Sequence, residues 1–194
     1  MKLSQALAGF ALGAGLIFTS VAASAQDDAK AAPGTKAFGE WRVSCSSAPS
    51  PIPCAMQELL SRKGATQAEP ILAIVIGYDT ITKHSVAKIG VPLGVTLGKG
   101  LVISTDSYKS PPIRFHDCSR YFCFVQTGIP DATIAALSSA SMGKITFTME
   151  ADGKTYSIGF PLKGFGEAHD AIVQGSNGKG AKSAPAAPAD QPAQ

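Results

Sequence analysis

A complete catalytic signature is missing from this 194-residue chain, and several other familiar signals are missing with it. There is no G-x-S-x-G elbow and no H-E-x-x-H pair. Gly98-Lys99-Gly100 lacks the rest of a phosphate-binding loop, and the glycines and lysines of "GSNGKGAKS" follow no strand. Basic residues barely outnumber acidic ones, 17 Lys and Arg against 14 Asp and Glu, and they are scattered along the chain. Nucleic acid is therefore not an expected partner, because its footprint is a concentrated basic patch. Beyond the first 25 residues no stretch is apolar enough to cross a bilayer, which takes about 20 consecutive apolar residues. Cysteine is scarce, with four in all, and C-x₄-C without a second close pair is a poor zinc signature. No metal and no other cofactor is expected.

What is present begins at the N-terminus. Lys2 supplies a positive start, Leu7 to Val21 an apolar run broken by small residues, and Ala23-Ser24-Ala25 a small-x-small site ahead of Asp27 and Asp28. That three-part pattern predicts a signal peptide over residues 1–25, cleaved on export, with no transmembrane segment left afterwards. The expected location is the periplasm or the outer surface of a bacterium. Such compartments form and keep disulfides, so the four cysteines are read as two bridges, for which three pairings exist. Cys45 and Cys54 bracket the proline- and serine-rich "SSAPSPIP", and Cys118 and Cys123 bracket "SRYF". Each pair sits at the mouth of a turn, so local pairing is predicted. Loop entropy assigns about 2.7 kcal/mol to the first bridge and about 2.2 kcal/mol to the second.

Composition divides the remainder. A polar linker occupies 26–36, and residues 174–194 form an Ala/Pro-rich tail with little to bury, which predicts disorder. Between them, residues 37–173 suffice for one domain with a single core. In "EWRVSC", Trp41, Val43 and Cys45 alternate with Arg42 and Ser44, the period of a strand with one wet face. "ILAIVIGY" is continuously apolar and reads as a central strand buried on both sides. "CAMQELLS", "HSVAKIGVP", "LVISTD", "IRFHDC" and "FCFVQT" are further strands, and "VPLGVTLGKG" is a loop with turns.

The clearest local signal is "ITFTMEADGKTYSIGF". A two-residue turn at Asp152-Gly153 would set Met149 opposite Tyr156, Phe147 opposite Ile158 and Ile145 opposite Phe160, with Thr148 meeting Ser157 on the other face. A simple turn at Cys118–Cys123 would oppose Phe115 to Gln126, so a bulge or a register change is expected there, and the sequence does not say which. "PDATIAALSSA" predicts a short helix with Asp131 as N-cap and Ile134 and Leu137 on one side. "FGEAHDAIV" suggests a second helical turn with Ala168, Ala171 and Ile172 inward. The fold class is all-β: an immunoglobulin-like β-sandwich with one or two short helices, a closed barrel being the alternative.

"FGEWRVSC…CAMQ", "PLGVTLGKGLVIS", "IRFHDC…YFC" and "GFPLKGFGEAHDAI", in that order, resemble the invasion-associated locus B family of bacterial exported proteins. The likeness runs over nearly all of 37–173. It implies an immunoglobulin-like sandwich in the periplasm or at the outer surface, associated in some members with entry into host cells. It implies no catalytic residues.

The residues themselves offer His84, His116 and His169 as bases and Ser85, Ser107 and Ser119 as nucleophiles, without a supporting motif. Asp117 beside His116 adds nothing, since neighbours in a strand point to opposite faces. Tyr108, Tyr121 and Phe122, flanked by Lys109, Arg114 and Arg120, could instead build an adhesive patch. Phe122 is expected to cover the disulfide and core edge, leaving Arg120 and Tyr121 as the partner contacts. The expected function is that of an exported, non-enzymatic interaction protein of the envelope, contributing to host-cell association or invasion through a protein or cell-surface partner. A periplasmic hydrolase with an unrecognised site and a small-ligand carrier are the alternatives.

Overall fold

Alternation of apolar and polar residues writes ten stretches of the described chain as antiparallel strands. The structure, a computed structural model, describes residues 34–62 and 69–178, which fall in one compact unit. The expected signal peptide at 1–25, most of the linker and the tail beyond Gly178 lie outside the described residues. In order the elements are β1 (Thr35–Phe38), β2 (Trp41–Cys45), β3 (Cys54–Ser61), β4 (Pro70–Asp79), β5 (His84–Pro92), β6 (Leu101–Ser104), β7 (Phe115–Cys118), β8 (Phe122–Ile129), α1 (Asp131–Ser139), β9 (Met142–Thr148), β10 (Thr155–Pro161) and α2 (Phe165–Ser176). A seven-stranded sheet runs β1-β2-β3-β4-β5-β8-β7 and a three-stranded sheet runs β10-β9-β6, every pairing antiparallel. The all-β, immunoglobulin-like sandwich read from the sequence is the architecture observed, with both helices added to it.

One core joins the two layers. Its large-sheet side is Trp41, Met56, Leu72, Ile74, Ile76, Ile89, Val91 and Val125, and its small-sheet side is Ile103, Ile145, Phe147 and Phe160. α2 lies across β1 to β4 and adds Phe165, Ala168 and Ile172, while α1 packs on α2. Trp41, the sole tryptophan, is fully buried where sheet, sheet and helix meet. Its ring sits edge-on to Phe160 at 6.5 Å and to Phe165 at 5.0 Å, and its Nε1–H donates to the Pro161 carbonyl at 3.2 Å. A buried indole needs such an acceptor.

The structure corrects several sequence expectations. β9 and β10 pair Phe147 with Tyr156, Ile145 with Ile158 and Thr148 with Thr155, a register two residues away from the expected one. The reason is the loop, which is not a two-residue turn. Met149 N–H donates to the Lys154 carbonyl at 2.9 Å and Gly153 N–H to the Met149 carbonyl at 3.1 Å, enclosing Glu150 to Gly153 with Gly153 at φ 66°. A slip of two preserves the faces, since side chains alternate with period two. Phe147 therefore stays inward, although Thr148 is buried as well.

β4 is not buried on both sides: Leu72, Ile74 and Ile76 face the core, but Val75 is exposed on the outer face. Cys45 is exposed rather than aligned with Trp41 and Val43 in the interior. Pro130, not Asp131, caps α1, whose buried face does hold Ile134 and Leu137. α2 is a full helix rather than a turn and continues to Ser176, inside the span expected to be tail, while β1 begins at Thr35, inside the expected linker. Of the bulge or register change expected in the β7–β8 hairpin, the structure shows a shift of register between Phe115 and Asp117, with Phe115 facing Val125.

Candidate functional site

The β7–β8 hairpin ends in a short closed tip. Cys118 pairs with Cys123 across the ladder and is bonded to it, the Cα atoms 3.9 Å apart, and Ser119 N–H donates to the Phe122 carbonyl at 2.7 Å. The second bridge joins Cys45 to Cys54 at the mouth of the β2–β3 loop, as the spacing predicts. No described cysteine is free, so none offers a thiolate to a metal.

Within the tip the two aromatics part ways. Phe122 is 8% exposed and its ring packs on Phe124, 5.8 Å between centroids, over Gly90 of β5, where a Cβ would come within 2.6 Å of the Phe124 ring. Tyr121 is 63% exposed, with the Arg120 guanidinium 6.0 Å from its ring centroid. The Phe122 side chain thus anchors the hairpin to the outer face of the large sheet, and Tyr121 and Arg120 project from the anchor. Tyr108 does not join them: its hydroxyl bonds Thr133 Oγ1 on α1 at 2.6 Å, and Arg114 lines a groove beside the other half of β8.

The enzymatic candidates disperse. His84 is exposed at the start of β5, and Ser107 is exposed in the β6–β7 connection. Ser119 Oγ accepts from the Tyr121 N–H at 3.4 Å and belongs to the hairpin turn. His116 does reach Asp117, Nδ1 to Oδ1 at 3.4 Å, because the bulge breaks the alternation that would otherwise separate them; both are well exposed.

One pair does converge. Ser85 Oγ and His169 Nε2 share a hydrogen bond of 2.8 Å between β5 and α2. Burial pulls the His169 pKa below its ordinary value against the opposing effect of Asp170 and Asp131, which favours the neutral ring. Ser85 is only 5% exposed, however, and among the described residues no carboxylate hydrogen-bonds the ring. A nucleophile needs an approach for the reacting carbon and donors for its oxyanion. As it stands, the pair fastens a helix to a sheet.

Glu58 was not singled out by sequence reasoning. It is 8% exposed on the inward face of β3, in line with Cys54 and Met56. Burial above all, then the charge of Glu40, raises its pKa to about 7, with Arg42 pulling the other way. The signal was available: in "CAMQELLS" the alternation that turns Met56 inward also turns Glu58 inward.

Comparison with known proteins gives one consistent result. The profile of the invasion-associated locus B (IalB) proteins matches residues 41–173. Invasion protein B homologs of Brucella abortus, from strain 2308 and from biovar 1 strain 9-941, are each 26% identical over 164 residues, covering 81% of this chain and 93% of theirs. The crystal structure of invasion associated protein b from Bartonella henselae superposes with a TM-score of 0.65 at 19% identity, covering 74% of this chain and 98% of that one, a likeness of fold. Trp41 at the joint of the layers, the two stapled hairpins and α2 as far as Val173 lie within the matched span, and the chain belongs to the invasion-associated locus B family.

Proposed function

We propose that this protein is an exported, non-enzymatic interaction protein of the bacterial envelope. Its stapled tip meets a protein or cell-surface partner, and the contact contributes to host-cell association. The observation that carries this reading is Tyr121, 63% exposed beside Arg120 on a hairpin closed by a disulfide. A large aromatic held out in water costs free energy that a partner can recover, and tyrosine and arginine are among the residues enriched at binding hot spots. The bridge and the Phe122 anchor hold the tip in one shape, so little ordering entropy remains to be lost on association. Export is supported by the "MKLSQALAGFALGAGLIF" run and the small-residue site at Ala23–Ala25, and by disulfides of the kind that oxidising compartments keep.

The test is binding of the purified protein to host cells, and to partners captured by cross-linking. Arg120→Ala with Tyr121→Ala should lower binding about tenfold or more while the circular dichroism spectrum and melting temperature hold. Unchanged binding would sink the tip as the contact. Labelling of Ser85 by a fluorophosphonate in the folded protein, abolished by His169→Ala, would favour a hydrolase built on the 2.8 Å pair instead.

A further inference from the structure

The chain between β6 and β7 changes sheets, and the change leaves a strand edge bare. Residues 109–113 run beside β6: Ser110 N–H donates to the Ile103 carbonyl at 2.8 Å, and Leu101 and Ile113 exchange backbone bonds of 2.9 and 2.7 Å. Only at Phe115 does the chain enter the large sheet as β7, opposite Val125, Phe124 and Cys123. β8 continues through Gln126 to Ile129, paired there with Lys88 to Ser85 of β5 on one side. On the other side, among the described residues, it has no partner. Backbone groups of an antiparallel strand alternate sides, so about half the N–H and C=O groups of this segment face the bare edge.

A groove of about 460 Å³ lies along that edge, within the range that holds small ligands and short peptides. Its facing wall is Pro111, Pro112 and Ile113. The prolines carry no N–H, and both backbone groups of Ile113 are committed to Leu101, so that wall does not satisfy the β8 edge itself. Arg114 lines the same groove at the end where β7 begins. It is exposed, and among the described residues no carboxylate lies within salt-bridge distance of it.

We infer that this groove receives the C-terminal end of an extended peptide, added as an antiparallel strand to the Gln126–Ile129 edge with its terminal carboxylate on Arg114. The direction follows from the topology. β7 already occupies the edge beyond Val125, so an added strand has to stop short of Phe115. A strand antiparallel to β8 arrives there with its C-terminus, whose carboxylate matches the planar guanidinium. A parallel strand would arrive with an ammonium, which Arg114 repels. The bare edge spans about 14 Å at roughly 3.4 Å per residue, room for a chain end rather than a long passing strand. Backbone bonds give such a site affinity, and the pockets for alternate side chains, here floored by Ile103 and Ile129, give selectivity. Tyr121 and Thr127 are six positions apart in sequence, about 20 Å along an extended strand, so this is a second surface, independent of the tip.

Two pools of random hexapeptides test the proposal on the immobilised protein, one with free C-terminal carboxylates and one with C-terminal amides. The acid pool should be retained about tenfold or more over the amide pool, the factor for a charge-assisted pair. Arg114→Gln, a change at an exposed side chain, should erase that preference, whereas Arg120→Ala with Tyr121→Ala should leave it intact. Retained peptides should slow hydrogen exchange at the outward-facing amides of Gln126–Ile129. Equal retention of the two pools overturns the proposal, and so does a preference that survives Arg114→Gln or leaves exchange in β8 unchanged. Should Arg114→Gln fail to fold, the pool comparison and the exchange measurement on the unaltered protein still decide.

Discussion

The two stapled hairpins carry the same bond, each joining a buried to an exposed cysteine, in different surroundings. At the β2–β3 end the buried Cys54 half of the bridge lies under α2, with Cys45 at the surface: the last turn of the helix passes so close that a Cβ on Gly175 would stand 2.7 Å from Cys54 Sγ and 3.1 Å from Cys45 Sγ. The loop beyond it is tied as well, the Pro51 carbonyl accepting from Thr80 N–H at 2.8 Å and Thr80 Oγ1 at 2.9 Å, with Ile52 lying over Gly77. At the β7–β8 end the bonds of the tip stay within the hairpin, and Tyr121 stands in solvent. Cross-link separations of 9 and 5 residues give both bridges nearly the same chain entropy. What separates the two bridges is the packing around them, and in the proposed function the more open one is a frame for display.

Removing each bridge in turn is the most severe way to break this comparison. Cys45→Ala with Cys54→Ala should cost about 3 to 4 kcal/mol, the entropy plus the gap left beneath α2. Cys118→Ala with Cys123→Ala should cost about 2 to 3 kcal/mol in urea melts. Binding to cells should divide the other way, with the second pair losing it and the first retaining it under conditions where both variants are folded. If both pairs lose binding alike, the tip is not a separate recognition element.

A second test sharpens the contrast through pH, because β3, the strand that starts at Cys54, carries Glu58 inward on the covered side. Its pKa stands at about 7 when folded, above the 4.5 expected of the free carboxyl. Between those values the unfolded chain releases the proton and the folded chain keeps it. Stability therefore falls as pH rises through that window, by about 2 to 3 kcal/mol. Glu40 and Arg42 are the charges that bear on it. Glu58→Gln should flatten the decline between pH 5 and 7.5. Melts of the variant that decline as steeply as the parent would move the titration to another group.

Much of the covered side was legible, because it depends on alternation alone: Trp41 and Val43 in β2, Cys54 and Met56 in β3, Phe147 in β9. The local cysteine pairs were legible too, being set within a few residues, and so was the need for an irregularity in the β7–β8 hairpin, though not its form or its place beside His116. Legibility stopped where the deciding partner was distant or the turn unusual. An apolar run such as "ILAIVIGY" does not say whether a second layer covers its outer face, and here Val75 is left exposed. Asp152-Gly153 suggests a two-residue turn, yet the loop closes from Met149 to Lys154, and the register moves by two. Ser85 and His169 lie 84 positions apart, and no motif joins them. The groove at Arg114 depends on residues 109–113 choosing β6 over β8, a contest between sheets that spacing does not record.

The smallest effect isolates the contact between helix and bridge. Gly175 lies inside α2, where alanine is ordinarily favoured over glycine by about 0.5 to 1 kcal/mol. In the native protein that gain is outweighed, since the added methyl meets a disulfide that cannot swing aside, and overpacking costs about 1 to 3 kcal/mol. Gly175→Ala should therefore lower stability by about 1 kcal/mol, a fall of roughly 3 to 6 °C in melting temperature. In the protein lacking Cys45 and Cys54 the obstructing sulfurs are gone, and the nearest remaining atom of the pair is the Cβ at position 54, 3.8 Å away, an ordinary contact. There the same substitution should raise stability by a few tenths to about 1 kcal/mol. The sign reversal, read as the coupling in a double-mutant cycle, attributes the cover on this bridge to α2. The same sign in both backgrounds would mean that the helix end yields to the methyl, and that the two stapled hairpins differ less in their surroundings than the packing indicates.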